Sequence, residues 1–361
     1  VGLLRTNLDE RLREAVTGSV VMVTGASSGI GAATARSLGK AGATVLLVAR
    51  SVERLQAVER GIVESGGAAR VLPTDLSDPE ATQALLEGVW LEHGGVDVLV
   101  SNAGRSIRRS IELSYGRFHD FQRTIDINYL GPVHLVLGLL PAMRERGRGH
   151  IVNVSSLGVL FGAPRFSAYL GSKSAFDAFL KCVAPEVRRD GVAVTSIYMP
   201  LVRTPMIEAT KVYGMLPGLT PEEAAGRICR AIVEQPVSMA PRLARVGCLA
   251  RDAAPRTFEA LLQGVYRVSD DSAAARGEGD ARMEVPRFQF VLEQIGRATN
   301  RRRSRNLQEV PLDQRQSLCP ALARSCERRA WRRARSAALE PGRVDDPVVR
   351  RTGSRGVLPC G

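Results

Sequence analysis

Four side chains in this sequence have the types and spacing to move a proton to or from a carbonyl oxygen. Tyr169 and Lys173 stand four apart in SAYLGSK. The run continues helically through Phe176, Phe179 and Leu180, so both project from one helix face. Ser156 closes an apolar, strand-like run upstream, and Asn128 sits in an earlier long helical stretch. A phenol with an ordinary pKa near ~10 exchanges protons poorly at neutral pH. A neighbouring ammonium favours the phenolate, so Lys173 is expected to lower the pKa of Tyr169. A hydroxyl such as Ser156 can donate to a carbonyl oxygen and to the oxyanion that develops on it. Singly, each residue has a plain explanation: a helix tyrosine, a solvated lysine, a strand-end serine, a cap-like asparagine. Together they define a site only if other elements bring them to a common point.

Those elements are legible as alternating short β-rich runs and longer helical runs. Strands are expected over 19–24, 44–49, 69–74, 96–101, 150–155 and 192–198, nearly all apolar, as parallel strands covered on both faces require. Helices are expected over 31–40, 52–65, 79–93 and a long 114–146 region. This order predicts an α/β fold, a doubly wound parallel sheet of Rossmann type, in a single domain with a C-terminal extension. The first strand runs into Thr24-Gly25-Ala26-Ser27-Ser28-Gly29-Ile30-Gly31. A strand, a glycine-rich turn and a helix start together seat a pyrophosphate, because the backbone can approach closely and free N–H groups face the anion. At the end of the second strand an acidic side chain would take the ribose hydroxyls of NADH; here Ala49 is followed by Arg50, which suits a 2′-phosphate. NADPH is the expected cofactor, the alternative being that Arg50 is a solvated surface charge. An oxidised nicotinamide would add to the lowering of the Tyr169 pKa.

TGASSGIG, Asp75 after the third strand, Ser101-Asn102-Ala103-Gly104, Asn128, Ser156 and Tyr169-x-x-x-Lys173 resemble the short-chain dehydrogenase/reductase family over about residues 15–245. The resemblance implies that Tyr169 is the catalytic acid/base and that Lys173 holds the nicotinamide ribose. It further implies that Ser156 steadies the substrate oxygen and Asn128 supports a proton-relay water. Gly25, Ser27, Ser28, Gly29, Ile30 and Gly31 would hold the cofactor phosphates, Asp75 and Leu76 the adenine, with Asn102, Ala103 and Gly104 beside them. Pro200, Val202 and Thr204 would lie near the nicotinamide. Two departures are Ser101 for the usual first asparagine and Pro200-Leu201 for the usual Pro-Gly. The stretches NAGRSIRRSIELS, PRFSAYLGSKSAFDAF, MPLVRTPM and DSAAARG (271–277) resemble the branch containing bacterial fatty acyl-CoA reductases. That implies NADPH-dependent reduction of a long-chain acyl thioester to an aldehyde without an enzyme cysteine, in a homo-oligomer, dimer or tetramer. The same tetrad reduces ketones, such as 3-oxoacyl thioesters or hydroxysteroids. A nucleotide-sensing or nucleic-acid-binding protein is the non-enzyme alternative.

Arg105, Arg108 and Arg109 follow the Asn-Ala-Gly turn, where they would meet CoA phosphates or another acidic head group. The alternative is pairing with local acids such as Glu112 and Asp120. The family resemblance implies that the segment after the sixth strand folds over the substrate; its apolar residues Ile207, Val212, Tyr213, Met215 and Leu216 suit a lipid chain there, or equally core packing. Phe258, Leu261, Leu262, Val265 and Tyr266 recur at helical spacing, favouring a helix packed on the domain over one lying on a membrane surface, with a weak peripheral membrane contact as the further partner left open.

The formal charge of +13 over 361 residues is unevenly placed. Residues 281–361 hold 18 arginines and 8 acids, so the remainder is nearly neutral and no nucleic-acid partner is expected for the folded domain. The domain plan is a lead-in over 1–18, a NADP-binding catalytic domain over 19–245, a helical region over 246–280 and an Arg-rich disordered tail over 281–361. The longest uncharged runs, 127–143 and 149–164, fall short of the ~20 residues that cross a bilayer. Six cysteines without a C-x-x-C pair or histidine cluster predict neither a metal site nor a disulfide framework, and a cytoplasmic location. Cys182 and Cys229 are expected as small core residues.

Overall fold

Seven strands form one parallel sheet in the order β3-β2-β1-β4-β5-β6-β7. They are β1 (Val20–Thr24), β2 (Thr44–Ala49), β3 (Ala68–Pro73), β4 (Val98–Ser101), β5 (Gly149–Ser156), β6 (Val192–Met199) and a two-residue β7 (Ser238–Met239). The computed structural model describes residues 2–204, 218–271 and 273–276. The expected tail over 281–361 and the apolar segment from Ile207 to Leu216 therefore lie outside the described residues.

Apolar residues on both faces of each strand explain why helices cover the sheet twice. Val21, Val23, Val45 and Leu47 face one layer, made by α1 (Gly2–Val16), α2 (Gly29–Lys40), α3 (Val52–Glu64) and α9 (Pro221–Glu234). Met22, Leu46, Val48 and Leu99 face the other, made by α4 (Pro79–His93), α6 (Gly131–Glu145) and α8 (Ser167–Val187). The N-terminal lead-in is thus a helix, with Leu12 and Val16 buried in the first layer. Helix starts follow local capping chemistry. Asp78 accepts from the backbone of Glu80 and Ala81 at α4, and Thr220 and Glu223 form a reciprocal capping box at α9.

The expected 114–146 helix divides into a 3-10 turn (Glu112–Ser114), α5 (Phe118–Ile125), a π turn (Asp126–Leu130) and α6. From Phe118 to Glu145 the helix is continuous for 28 residues, long and apolar enough by length and composition to cross a membrane. This corrects the expectation drawn from uncharged runs, because Arg123 and Asp126 interrupt the run but not the helix. Leu135, Leu139 and Met143 on its inner face pack against the sheet.

Two further expectations need correcting. Cys182 is exposed on α8, while Cys229 on α9 is buried and its thiol is pushed up to about 12 by burial. The apolar stripe of α11 (Pro255–Val268) is only partly covered: Phe258 meets the Phe161 ring at 6.1 Å, whereas Leu261, Val265 and Tyr266 are exposed. The helix packs on the one before it, α10 (Arg242–Ala253), and meets α7 (Gly158–Phe161) through the Phe258–Phe161 ring pair, which leaves the rest of the stripe open.

His150 in β5 is buried and bonded through Nε2 to Thr195 Oγ1 at 2.9 Å; burial lowers its pKa from 6.5 to about 4. The unfolded chain therefore binds a proton that the folded chain refuses between those values, so stability falls as pH drops from about 6.5 to about 4. The full effect is roughly 3 kcal/mol. His150→Gln is expected to remove this part of the acid loss, measured as denaturant midpoints of the two proteins across that range.

Candidate active site

The strand order reverses between β1 and β4, which opens a crevice at their carboxyl ends, the usual ligand position in such sheets. A cavity of about 830 Å³ occupies that crevice. Its wall contains Gly25, Ser27, Ser28, Gly29, Ile30, Arg50, Asp75, Leu76, Asn102, Ala103 and Gly104 from the nucleotide side. Ser156, Tyr169, Lys173, Pro200, Val202 and Thr204 line the other. Gly31 and Asn128 stand immediately behind it rather than in the wall.

The glycine turn is built for close approach. A Cβ on Gly31 would lie 2.2 Å from the Gly25 carbonyl oxygen, and Gly25 itself has φ of +68°. Bulk is excluded there, and the start of α2 is left facing the cavity, a cradle that fits a pyrophosphate. Thr24 and Asn102 hold the turn in place. Thr24 Oγ1 accepts from the backbone N–H groups of Asn102 and Ala103 at 2.9 Å each, and Asn102 Nδ2 donates to the Thr24 carbonyl at 2.9 Å. Ser101 in place of asparagine is buried at the end of β4. Leu201 carries no positive φ, so replacing the usual glycine there introduces no backbone strain.

Arg50 is exposed at the end of β2, with Nη1 3.8 Å from Asp75 Oδ2. Burial acts to raise the Asp75 carboxyl, but the Ser77 hydroxyl and backbone N–H, with Arg50, outweigh it and hold the group low. So open an ion pair is weak and leaves the guanidinium available to another anion.

Asn128 lies in the π turn, fully buried. Its Oδ1 accepts from the Arg105 N–H at 2.8 Å, and its Nδ2 donates to the Arg105 carbonyl at 2.9 Å and to Ser172 Oγ at 2.8 Å. It therefore fastens the Asn-Ala-Gly turn to α8. A Cβ on Gly104 would come within 2.8 Å of that Oδ1. The π turn has no visible sequence signal, yet such turns are frequent at functional sites.

Tyr169 and Lys173 share one face of α8 and both reach the cavity. Lys173 is buried and donates through Nζ to the Val154 carbonyl at 3.1 Å; burial lowers its pKa to about 8. Tyr169 moves the other way from expectation. Burial pushes its phenol up, and only the hydrogen bond with Ser156 pulls it down. In the polypeptide alone, desolvation outweighs any pull from Lys173, so the phenol is held protonated at neutral pH.

Of the three arginines assigned to an acidic head group, only Arg105 lines the cavity. Arg109 is instead held within the protein. Its Nε is 3.3 Å from the buried Asp120 carboxylate and its Nη1 donates to the Ala275 carbonyl. Arg117, at 2.8 Å, also pairs with Asp120, and His119 Nε2 lies 3.3 Å from its other oxygen. Arg108 lies outside the cavity wall. Among the described residues no group of three acidic, histidine or cysteine side chains could hold a metal.

A doubly wound sheet with a nucleotide cradle and a Ser–Tyr–Lys cluster beside it defines a nicotinamide-dependent oxidoreductase. Residues 19–212 match the short chain dehydrogenase family, and the chain belongs to it. A fatty acyl-CoA reductase from Acinetobacter baylyi is 47% identical over 275 residues, 76% of this chain and 93% of that protein. A fatty acyl-CoA reductase from Mycobacterium tuberculosis is 47% identical over 249 residues, 69% of this chain and 85% of that one. Among solved structures, a metagenomic short-chain oxidoreductase in complex with NADP aligns with a TM-score of 0.54 and 33% identity, covering 63% of this chain and all of that one. L-Sorbose reductase from Gluconobacter frateurii, complexed with NADPH and L-sorbose, aligns with a TM-score of 0.57 and 28% identity over 62% and 94% of the chains.

Proposed function

We propose that this protein is an NADPH-dependent reductase of long-chain fatty acyl-CoA, yielding the fatty aldehyde. The observation that carries the reading is the enclosure of Ser156, Tyr169 and Lys173 in the same cavity as the glycine cradle. It is joined by the 47% identity to two proteins named fatty acyl-CoA reductase. When bound, the reduced nicotinamide supplies a hydride to the substrate carbonyl carbon. Ser156 and Tyr169 hydrogen-bond the carbonyl oxygen and stabilise the charge that forms on it. Tyr169, kept protonated by burial, is the proton donor that reduction requires. The resulting tetrahedral hemithioacetal collapses, expelling CoA thiolate, with no enzyme nucleophile involved. Lys173 orients the cofactor ribose and Asn128 holds the turn that carries Gly104. Arg105, exposed at the cavity edge, is the group left to meet the CoA phosphates. Exposed Leu130 and Leu137 on the long helix support a homo-oligomer.

Incubating the protein with NADPH and palmitoyl-CoA should release one free thiol and one aldehyde per NADPH oxidised. NADPH oxidation with ketones and no thiol release would replace this reading with that of a ketone reductase. Arg50→Ala is expected to weaken NADPH binding about tenfold while leaving NADH unchanged, measured by nucleotide fluorescence titration. Equal effects on both nucleotides would remove Arg50 from cofactor choice.

A further inference from the structure

Arg165 carries a side chain at φ of +72°, a left-handed conformation that non-glycine residues rarely hold unless surrounding contacts impose it. Those contacts come from far along the chain. Its Nε donates to the Ser269 carbonyl at 2.6 Å, its Nη1 to Asp271 Oδ2 at 2.6 Å and its Nη2 to the Tyr266 carbonyl at 3.2 Å. The guanidinium also lies 4.3 Å from the centroid of the Tyr266 ring. The ion pair is almost completely buried, with Arg165 7% and Asp271 10% exposed. Asp271 uses its second oxygen to accept from the Ser110 N–H at 2.9 Å, and the Arg109 N–H donates to the Arg165 carbonyl at 2.7 Å. One carboxylate therefore ties together two loops that are otherwise distant in sequence.

Both loops border the reacting groups. The first begins at Arg105 and Ser106, which line the cavity. The second contributes Ala163 and Phe166 to the wall, and the Phe166 ring packs edge-on against Tyr169 at 6.2 Å. Arg165 thus lies between Ser156 and Tyr169 in sequence, and its backbone conformation sets where Phe166 meets the phenol. We propose that Arg165 and Asp271 are positioning residues, through whose ion pair the segment 266–271 holds the 105–110 and 162–166 loops as the wall of the substrate end of the cavity. The cofactor end shares none of these contacts. This inference depends on the reductase reading only for the choice of substrate.

Asp271→Asn keeps the shape of the side chain and removes the charge. It is expected to raise KM for palmitoyl-CoA about tenfold, to change the Kd for NADPH less than twofold, and to speed amide exchange in 105–110 and 162–166 but not in 25–31. The charge-reversed pair, Arg165→Asp with Asp271→Arg, should recover part of the KM. An unchanged KM with unchanged exchange in both loops would overturn the proposal. So would a uniform rise in exchange across the chain, since that marks a general loss of stability. Should Asp271→Asn fail to fold, Arg165→Lys, which keeps the charge but loses the fork of donors, is judged by the same measurements. If the wild type leaves palmitoyl-CoA untouched, the acyl-thioester reading fails by itself. The clamp is then judged on KM for the carbonyl compound that the wild type does reduce and on the local exchange.

Discussion

Tyr169→Phe is expected to lower turnover about 10³-fold while leaving NADPH affinity and thermal stability nearly unchanged. The ring keeps its edge contact with Phe166, and the hydroxyl gives up one bond, to Ser156. What disappears is the proton donor at the carbonyl oxygen. Burial raises the phenol above its ordinary value, so the wild-type donor stays protonated through neutral pH and its activity should fall only on the alkaline side. The direction suits reduction, which consumes a proton, better than oxidation, which needs the phenolate. NADPH oxidation rates and nucleotide titrations on both proteins check the split. Full turnover by the variant would show that nucleotide binding, and not chemistry at Tyr169, is what the site does.

Lys173→Met should abolish most activity and yet stabilise the protein, by about 2 kcal/mol net. Lys173 is buried, and its pKa falls from 10.5 to about 8 because little in its surroundings compensates for lost water. Below about pH 8 the folded chain carries the whole desolvation penalty, roughly 3 kcal/mol. Between about 8 and 10.5 the unfolded chain holds a proton that the folded chain has released, so stability rises with pH through that window. Methionine has similar length and no charge, and its one loss is the bond to the Val154 carbonyl, worth about 1 kcal/mol. Denaturant midpoints at neutral pH should therefore increase, and the alkaline rise should vanish. A lower midpoint in the variant would mean that the Val154 bond outweighs desolvation. A stabilising change that destroys function is the pattern expected where a site holds a charge for chemistry rather than for folding.

Much of the cofactor side was legible because its chemistry is local in sequence. A strand ending in Thr24, glycines at 25, 29 and 31 and a helix immediately after are contiguous, and steric exclusion at Gly31 acts within one turn. Tyr169 and Lys173 share a helix face by spacing alone, and strands buried on both faces announce themselves as apolar runs. Charge and pairing were less accessible. Arg109 looked equally suited to a head group or to a local acid, and only the packing of Asp120 against it decided for the acid. The upward shift of Tyr169 in the polypeptide alone is not legible in the sequence, because neighbour charge can be counted along a chain, whereas desolvation depends on everything that closes around a group.

The sequence by itself determined the alternation of strands and helices, the nucleotide turn and the identity of the reactive side chains, since each depends on residues within a few positions of one another. Tertiary structure alone decided that Asn128 sits in a π turn, that Lys173 is held by Val154, and that Arg165 finds Asp271 across 106 residues of chain. Contacts at such separations are set by how layers pack on the sheet, and no local pattern of residues encodes them.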